Sequence, residues 1–336
     1  MIVVRTPMRI PLGGGGTDLP SYYSLFEGEW ISAAIDKYAY VAINKRFLPP
    51  KYKITYSKTE LVEELNQIQH PVIREALKLF KINDGIDIAS FADIPANTGM
   101  GNSGSFTVAL LTALNIFSRN NPSDILPSKQ EIAEQACNLA INLLKQPSGK
   151  QDEYIVAHGG INSFTVSPRG KVRIEPLYPQ KISMEALHEL DNNLLMFYTG
   201  IRRESRDILN FQEQATRKGE EEIIKNLHRV KEIGREIKEA LIKNNFRKFG
   251  QLLDLHWQEK IKRSGTSNPQ FNNWYEIAKK NGAIGGKLMG AGGGGFFLFY
   301  CENQKDKLRK AMTSLGLKEE PFHFTLEGIK IIVDFI

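Results

Sequence analysis

The sequence predicts an α+β fold. Strand-like segments crowd the first hundred residues. Helical stripes follow at 103–117 and 128–145, and two long helical stretches, 219–244 and 246–264, stand between strand-like runs at 193–198 and 296–300. Both element types are plentiful, yet they do not alternate strictly as a doubly wound parallel sheet requires.

Taken in order, 31–43 is rich in Ile, Ala, Tyr and Val and reads as a strand, and 52–56 alternates polar with apolar. Residues 61–80 read as helical, with a break before Pro71. The run 85–91 alternates as a half-buried strand. Phe106, Ala109, Leu110, Ala113 and Leu114 form a helical stripe. Ser128 followed by Glu131 is a capping box, and Ile132, Ala136, Leu139, Ala140 and Leu143 continue one face until Pro147 stops it. Residues 161–166 and 171–174 read as paired strands around a Ser167-Pro168-Arg169-Gly170 turn. Beyond a domain boundary placed near residue 185, a strand is expected at 193–198, then the two long helices and a helix through 274–281. A strand at 296–300, a helix at 305–314 and a last strand at 329–335 complete the chain. The expected domains are 1–185 and 186–336.

Composition narrows the function classes. Of 336 residues, 44 are basic and 38 acidic, a net charge of +6 that suits phosphorylated small molecules. The basic residues are scattered, with no dense run interleaved with aromatics, so nucleic acid is not the expected partner. Cys137 and Cys301 stand in unrelated contexts, which argues against a disulfide framework or zinc site and fits a reducing compartment. No signal-peptide core opens the chain and no run of 18 apolar residues occurs. No membrane span is therefore expected, and the expected location is cytoplasmic. His158, His228 and His256 show no metal-ligand spacing and read as structural or surface residues. Nothing fixes an oligomeric state.

Glycine is unevenly placed. Clusters at 13–16, 99–104 and 282–295 suggest three loops meeting at one cleft, because glycine lets a ligand approach the backbone closely. The middle cluster, Pro95-Ala96-Asn97-Thr98-Gly99-Met100-Gly101-Asn102-Ser103-Gly104-Ser105, runs from a strand into a helix. Free N–H groups and the helix dipole at such a start favour an anion. Ser103 and Ser105 offer hydroxyls to a phosphate or Mg²⁺. The string Gly99-x-Gly101-x-x-Gly104 also matches a dinucleotide fingerprint. That reading wants an N-terminal βαβ unit and an acid after a second strand, whereas Asp124 at that distance lies in a loop. No G-x-x-x-x-G-K-[ST] loop occurs. A helix cap using glycine for geometry alone is the remaining alternative.

Together the three clusters resemble the motifs of the GHMP kinases. Thr6-Pro7-Met8-Arg9-Ile10 through Gly16-Thr17-Asp18 is similar to the substrate-side motif, Pro95 to Ser105 to the nucleotide phosphate loop, and Lys287 to Phe296 to the third motif. The resemblance implies an N-terminal two-layer α/β domain and a C-terminal ferredoxin-like domain with the site between them. It also implies ATP and Mg²⁺ as cofactors and a phosphorylated sugar as substrate. Gly13 to Gly16 before Thr17-Asp18-Leu19-Pro20, with Gly149-Lys150-Gln151-Asp152-Glu153-Tyr154, resembles the branch acting on D-glycero-D-manno-heptose 7-phosphate. That branch phosphorylates the anomeric hydroxyl to give the 1,7-bisphosphate. Galactokinases carry Glu-His where Gly15 and Gly16 stand, which implies a roomier sugar site here or a different set of hydroxyl contacts. Another sugar 1-kinase, for fucose or galactose, and a catalytically silent sugar or nucleotide sensor are the alternatives.

On this resemblance Asp152 is the catalytic proton acceptor and Arg9 the guanidinium beside it. Pro95, Asn97, Gly99, Met100, Gly101, Asn102, Ser103, Gly104 and Ser105 hold the nucleotide, and Ser103 faces the metal. Gly14, Gly15, Gly16, Thr17, Asp18, Gly292 and Gly293 hold the sugar, and Arg202 and Arg203 its distal phosphate. Each has a plainer reading: Asp152 as a surface carboxylate, Arg9 as a structural ion pair, Asp18 as a helix cap, Gly290 to Gly295 as a tight turn, Arg202 and Arg203 as solvated loop residues. One departure stands out. Many family members carry a metal-binding glutamate 12 residues before the catalytic aspartate, where this chain has Ala140. That position is expected on the inward stripe of its helix, and Glu134 lies too far along to substitute. An engineered change, metal held by Ser103 with ATP and waters, or a weakened enzyme would each account for it.

Overall fold

The computed structural model describes residues 1–119, 121, 123–202, 206–263 and 269–335. The strands among these are β1 (Ile2–Gly13), β2 (Gly28–Lys45), β3 (Tyr52–Thr55), β4 (Thr59–Val62), β5 (Ile86–Ala92), β6 (Ile161–Val166), β7 (Val172–Pro176), β8 (Leu194–Tyr198), β9 (Gly285–Leu288), β10 (Phe296–Tyr300), β11 (Lys318–Glu319) and β12 (Lys330–Asp334). The helices are α1 (Pro20–Tyr23), α2 (Pro71–Leu79), α3 (Asn102–Phe117), α4 (Lys129–Cys137), α5 (Gln151–His158), α6 (Met184–Asn193), α7 (Arg206–Arg217), α8 (Glu221–Ile242), α9 (Phe246–Ile261), α10 (Pro269–Lys280) and α11 (Lys305–Ser314).

One sheet runs β12-β1-β2-β5-β3-β4, with β6 paired to the outer part of β2 and β7 to β6; the other runs β11-β8-β10-β9. Among the described strands only the β3–β5 pair is parallel. This is the α+β architecture the segment pattern predicts. The long strands β1 and β2 tie two cores together. Ile2, Val4, Val41 and Ile43 pack with α2, α3, α4 and α5, while Met8, Ile10, Leu12 and Ile31 pack with α8, α9 and the second sheet. A strand buried on both faces loses its alternation; β1 is buried along most of its length, with Arg5, Thr6 and Arg9 among its apolar residues, and so shows no period of two. Helix α3, buried almost all round, lies against both long strands, which is how its N-terminus is fixed in place.

Other expectations need correction. The break before Pro71 is present and α2 starts there, but residues 61–70 are not the expected helix: β4 pairs with β3 and a 3₁₀ turn spans Leu65–Gln67. Proline suits the first turn, where its missing N–H is not needed, and not a helix interior. The Ser128 capping box is present, with Ser128 N donating to Glu131 at 2.8 Å. Its helix, however, passes into a π turn over Asn138–Leu143. The extra residue in that turn rotates the apolar stripe, so Leu139 is buried while Leu143 is 47% exposed. The short helix α5 and the helices α6 and α7 were not foreseen. The last strand does not stay with the second half: β12 pairs with β1 at the edge of the first sheet.

Candidate active site

All three glycine clusters reach one cleft of about 790 Å³. Two of them touch backbone to backbone. Gly99 and Gly290 both have positive φ, and a Cβ on Gly290 would lie 2.6 Å from the Gly99 Cα. Glycine here serves the contact between loops as well as clearance for a ligand. Of the predicted residues, Arg9, Gly15, Gly16, Asp18, Pro95, Asn97, Gly99, Met100, Gly101, Asn102, Ser103, Asp152, Arg202, Gly292 and Gly293 line the cleft. Arg203 lies outside the described residues.

The middle cluster leads into α3 with Gly101 at the N-cap in the left-handed region. Asn102 donates from Nδ2 to the Ile94 carbonyl at 2.7 Å, which closes the loop on itself. Ser103 is exposed in the cleft at the helix start, where backbone N–H groups have no helical acceptor. Ser105 is different: it is fully buried and donates from Oγ to the Pro7 carbonyl at 2.6 Å, pinning α3 to β1. Gly104 does not line the cleft either. A Cβ there would fall 2.7 Å from the Asp152 Cβ, so this glycine admits α5 rather than a phosphate.

Asp152, in the first turn of α5, meets Arg9 from β1. Arg9 donates from Nε at 2.7 Å and Nη2 at 2.6 Å, both to Asp152 Oδ1, and from Nη1 to the Gly99 carbonyl at 2.6 Å. Oδ2 has no donor among the described residues and is open to a hydroxyl of a bound molecule. Arg9 is 4% exposed, so its charge acts in a medium of low polarity. Glu153, beside Asp152, is buried, and its carboxyl is pushed up to about 8 by burial and by the neighbouring carboxylate.

Asp18 does not cap α1, whose N-cap makes no side-chain bond. Its carboxylate accepts from Gly16 N at 2.9 Å and Gln151 N at 3.1 Å, and burial raises its pKa despite those bonds. It thereby links the first glycine loop to the start of α5. Gly14 and Thr17 sit beneath that loop. Thr17 is fully buried, and its Oγ1 hydroxyl lies 2.8 and 2.7 Å from the Gly14 and Glu29 carbonyls, sharing its one proton between them and holding the turn.

Two regions of the cleft were missed. At one end Tyr56, His70, Phe91 and Phe106 make a partly exposed aromatic wall, with Tyr56 and Phe106 both against His70. At the other, His256, Lys260, Arg263 and Lys287 enter from the second half of the chain. Burial, with Arg9 and Arg263 nearby, pushes Lys287 down to about 7, and Lys260 and His256 are also depressed. The spacing of His256, Lys260 and Arg263 was available in the sequence, but a solvated helix face has the same spacing.

The residues fit a Mg²⁺ only in part. Ser103 offers its hydroxyl and Asp152 a carboxylate. Ala140 is buried in the π turn and does not line the cleft, contrary to expectation. Glu134 is engaged by the Lys150 ammonium at 2.7 Å and by the Tyr154 hydroxyl. No group of three or more His, Cys, Asp or Glu that could hold a metal occurs among the described residues. Such a site suits a magnesium ion that keeps its waters and binds chiefly to substrate phosphates.

Residues 51–160 match the model of the GHMP kinases N terminal domain, and residues 237–317 that of the GHMP kinases C terminal. The chain is 29% identical to a D-glycero-alpha-D-manno-heptose 7-phosphate kinase from Campylobacter jejuni over 98% of both chains. It is 25% identical to a galactokinase from Pyrococcus furiosus over 91% of this chain and 90% of that one. A solved D-glycero-D-manno-heptose 1-phosphate kinase from Bacteroides thetaiotaomicron shares its fold over the whole of both chains, with TM-score 0.79 and 22% identity.

Proposed function

The chain belongs to the GHMP kinases and is an ATP-dependent sugar kinase, and from that premise we propose that its acceptor is D-glycero-D-manno-heptose 7-phosphate, phosphorylated on the anomeric hydroxyl to the 1,7-bisphosphate. One observation carries the proposal: the open Oδ2 of Asp152 and the N-terminus of α3 share a cleft with the Gly15-Gly16 loop, which presents backbone without side chains of its own. The heptose kinase relative supports the choice of acceptor.

In this reading the purine lies against Tyr56, His70 and Phe106, and the triphosphate on the N–H groups from Asn97 to Ser103. Asp18 and the backbone of Gly15, Gly16, Gly292 and Gly293 orient the sugar. The anomeric oxygen attacks the γ-phosphorus, the bond to the β,γ-bridging oxygen breaks and ADP departs, while the hydroxyl proton passes to Asp152 Oδ2. Arg9 fixes Oδ1 and offsets charge on the transferring group. A Mg²⁺ bound by the nucleotide and Ser103 would neutralise phosphate charge. The division into 1–185 and 186–336 is part of the proposal, with β12 returned to the first half. So is a cytoplasmic location, supported by two free, buried cysteines. No helix among the described residues is long and apolar enough to cross a membrane.

The test is an ATP-consumption panel with phosphorus NMR of the product. Heptose 7-phosphate should be turned over at a kcat/KM at least tenfold above L-fucose and galactose. Turnover of a simple hexose with none of heptose 7-phosphate would reject the acceptor. Binding of ATP and sugar with no product would reject catalysis.

A further inference from the structure

The second half of the chain brings four basic side chains to the cleft from two elements. His256 and Lys260 on α9 and Arg263 just beyond it stand at i, i+4 and i+7, hence along one side of the helix. Lys287 comes from β9. All four line the cleft, and all are at least nine-tenths buried: His256 is 4% exposed, Lys260 5%, Arg263 9% and Lys287 2%. Arg9 lies close enough to act on the charge of both lysines. Burial removes the water that would screen these charges, so the group repels itself.

Two members have capacity to spare. Neither ring nitrogen of His256 has a hydrogen-bond partner, although both are buried. Among the described residues the Lys287 ammonium meets only the Leu12 carbonyl, at 3.3 Å. A buried donor without a partner is costly, and several converging on one cavity are satisfied together by a multivalent anion. The position of the cluster indicates which anion. Arg263 donates from Nη1 to Gln212 Oε1 at 2.9 Å, and Gln212 donates from Nε2 to the Gly16 carbonyl at 3.2 Å. The cluster is therefore tied to the acceptor-side loop beside Asp18. Lys260, which donates to the Leu288 and Gly290 carbonyls, both at 2.7 Å, also holds the third glycine turn in position.

We infer that His256, Arg263 and Lys287, with Lys260 behind them, form the seat for the phosphate that the acceptor sugar carries away from its reacting hydroxyl. The inference rests on the sugar-kinase reading above and assigns the acceptor's second anionic group to three residues of α9 and its end and to Lys287, which opens the third glycine motif. Arg202, exposed and engaged with the Tyr198 hydroxyl at 3.3 Å, is then a rim contact rather than the principal one.

Lys287→Met and Arg263→Gln, made separately in the full chain, test it. Each should raise the KM for heptose 7-phosphate by roughly 10- to 100-fold, the range for losing a charged hydrogen bond, with KM for ATP within about twofold. Calorimetry with inorganic phosphate, without nucleotide, gives an independent readout: the parent should bind it and both variants should lose most of that affinity. A rise in KM for ATP instead would assign the cluster to the transferring phosphoryl group and overturn the inference. Unchanged KM values and unchanged phosphate binding would make the cluster structural and also overturn it. If the parent consumes no ATP with heptose 7-phosphate yet binds inorganic phosphate, and the variants do not, the seat stands and the acceptor assignment falls. Should Arg263→Gln fail to fold, Lys287→Met decides, since replacing a buried ammonium by an isosteric apolar chain is tolerated.

Discussion

Asp152 and its neighbours Gly104 and Glu153 divide chemistry from support. Asp152→Asn keeps the shape but removes the proposed proton acceptor, so kcat should fall roughly 10²-fold or more while ATP affinity by calorimetry stays within a few-fold. Gly104→Ala tests positioning. The added methyl would lie 2.7 Å from the Asp152 Cβ, and the resulting shift of α5 against α3 should lower kcat with a destabilisation of about 1–3 kcal/mol. A normal kcat with intact stability would show that the contact relaxes freely. Glu153 supplies a pH signature. Its folded-state pKa of about 8 lies above the ordinary value of 4.5, so the native state holds the extra proton between those limits. Stability therefore declines as pH rises from about 4.5 to about 8. Glu153→Gln removes that slope, and its melting temperature should gain on the parent's progressively from pH 5 to pH 8. Asp152 was legible in the sequence through its motif. The roles of Gly104 and Ser105 were not, because a glycine that admits a ligand and one that admits a neighbouring helix look alike in one dimension.

At the scale of elements, α4 and the π turn after it carry the clearest departure from the family pattern. Restoring the missing glutamate by Ala140→Glu should not restore a metal ligand, because Ala140 is 8% exposed and does not line the cleft. The new carboxylate would be buried without a partner. We expect a loss of roughly 3 kcal/mol or more in a urea melt and no fall in the Mg²⁺ concentration needed for half-maximal turnover. A sharp fall in that requirement would mean that the turn can unwind and present residue 140 to the nucleotide. The capping box that starts α4 was readable, since a cap is set by residues three apart. The π turn was not, because nothing in Asn138 to Leu143 forbids an ordinary helix; in the fold the turn packs against α2.

For the molecule as a whole, β1 and β2 are common to two cores, and β12 closes the edge of β1. Arg119 from the end of α3 pairs with Asp334 of β12 at 2.5 Å, fastening that edge. Deleting residues 329–336 should therefore unsettle the first sheet, though it lies more than 280 residues away in sequence from β2. Exposure of the β1 edge should produce aggregation on size-exclusion chromatography and a lower melting temperature. An unchanged melt would show that β12 is ornamental to the sheet. The sequence by itself determined the mixture of elements, the helix cap at Ser128, the three glycine loops and the carboxylate that follows the Pro147-Ser148-Gly149 turn. Each of these is written in neighbouring residues through periodicity, backbone freedom or capping. Only the tertiary structure decided that His256, Lys260, Arg263 and Lys287 turn inward to one cleft, that Asp18 binds backbone rather than caps a helix, and that the final strand returns to the first sheet. These depend on contacts between segments distant in the chain, and a basic residue on a helix carries the same local pattern whether water or a cavity lies beyond it.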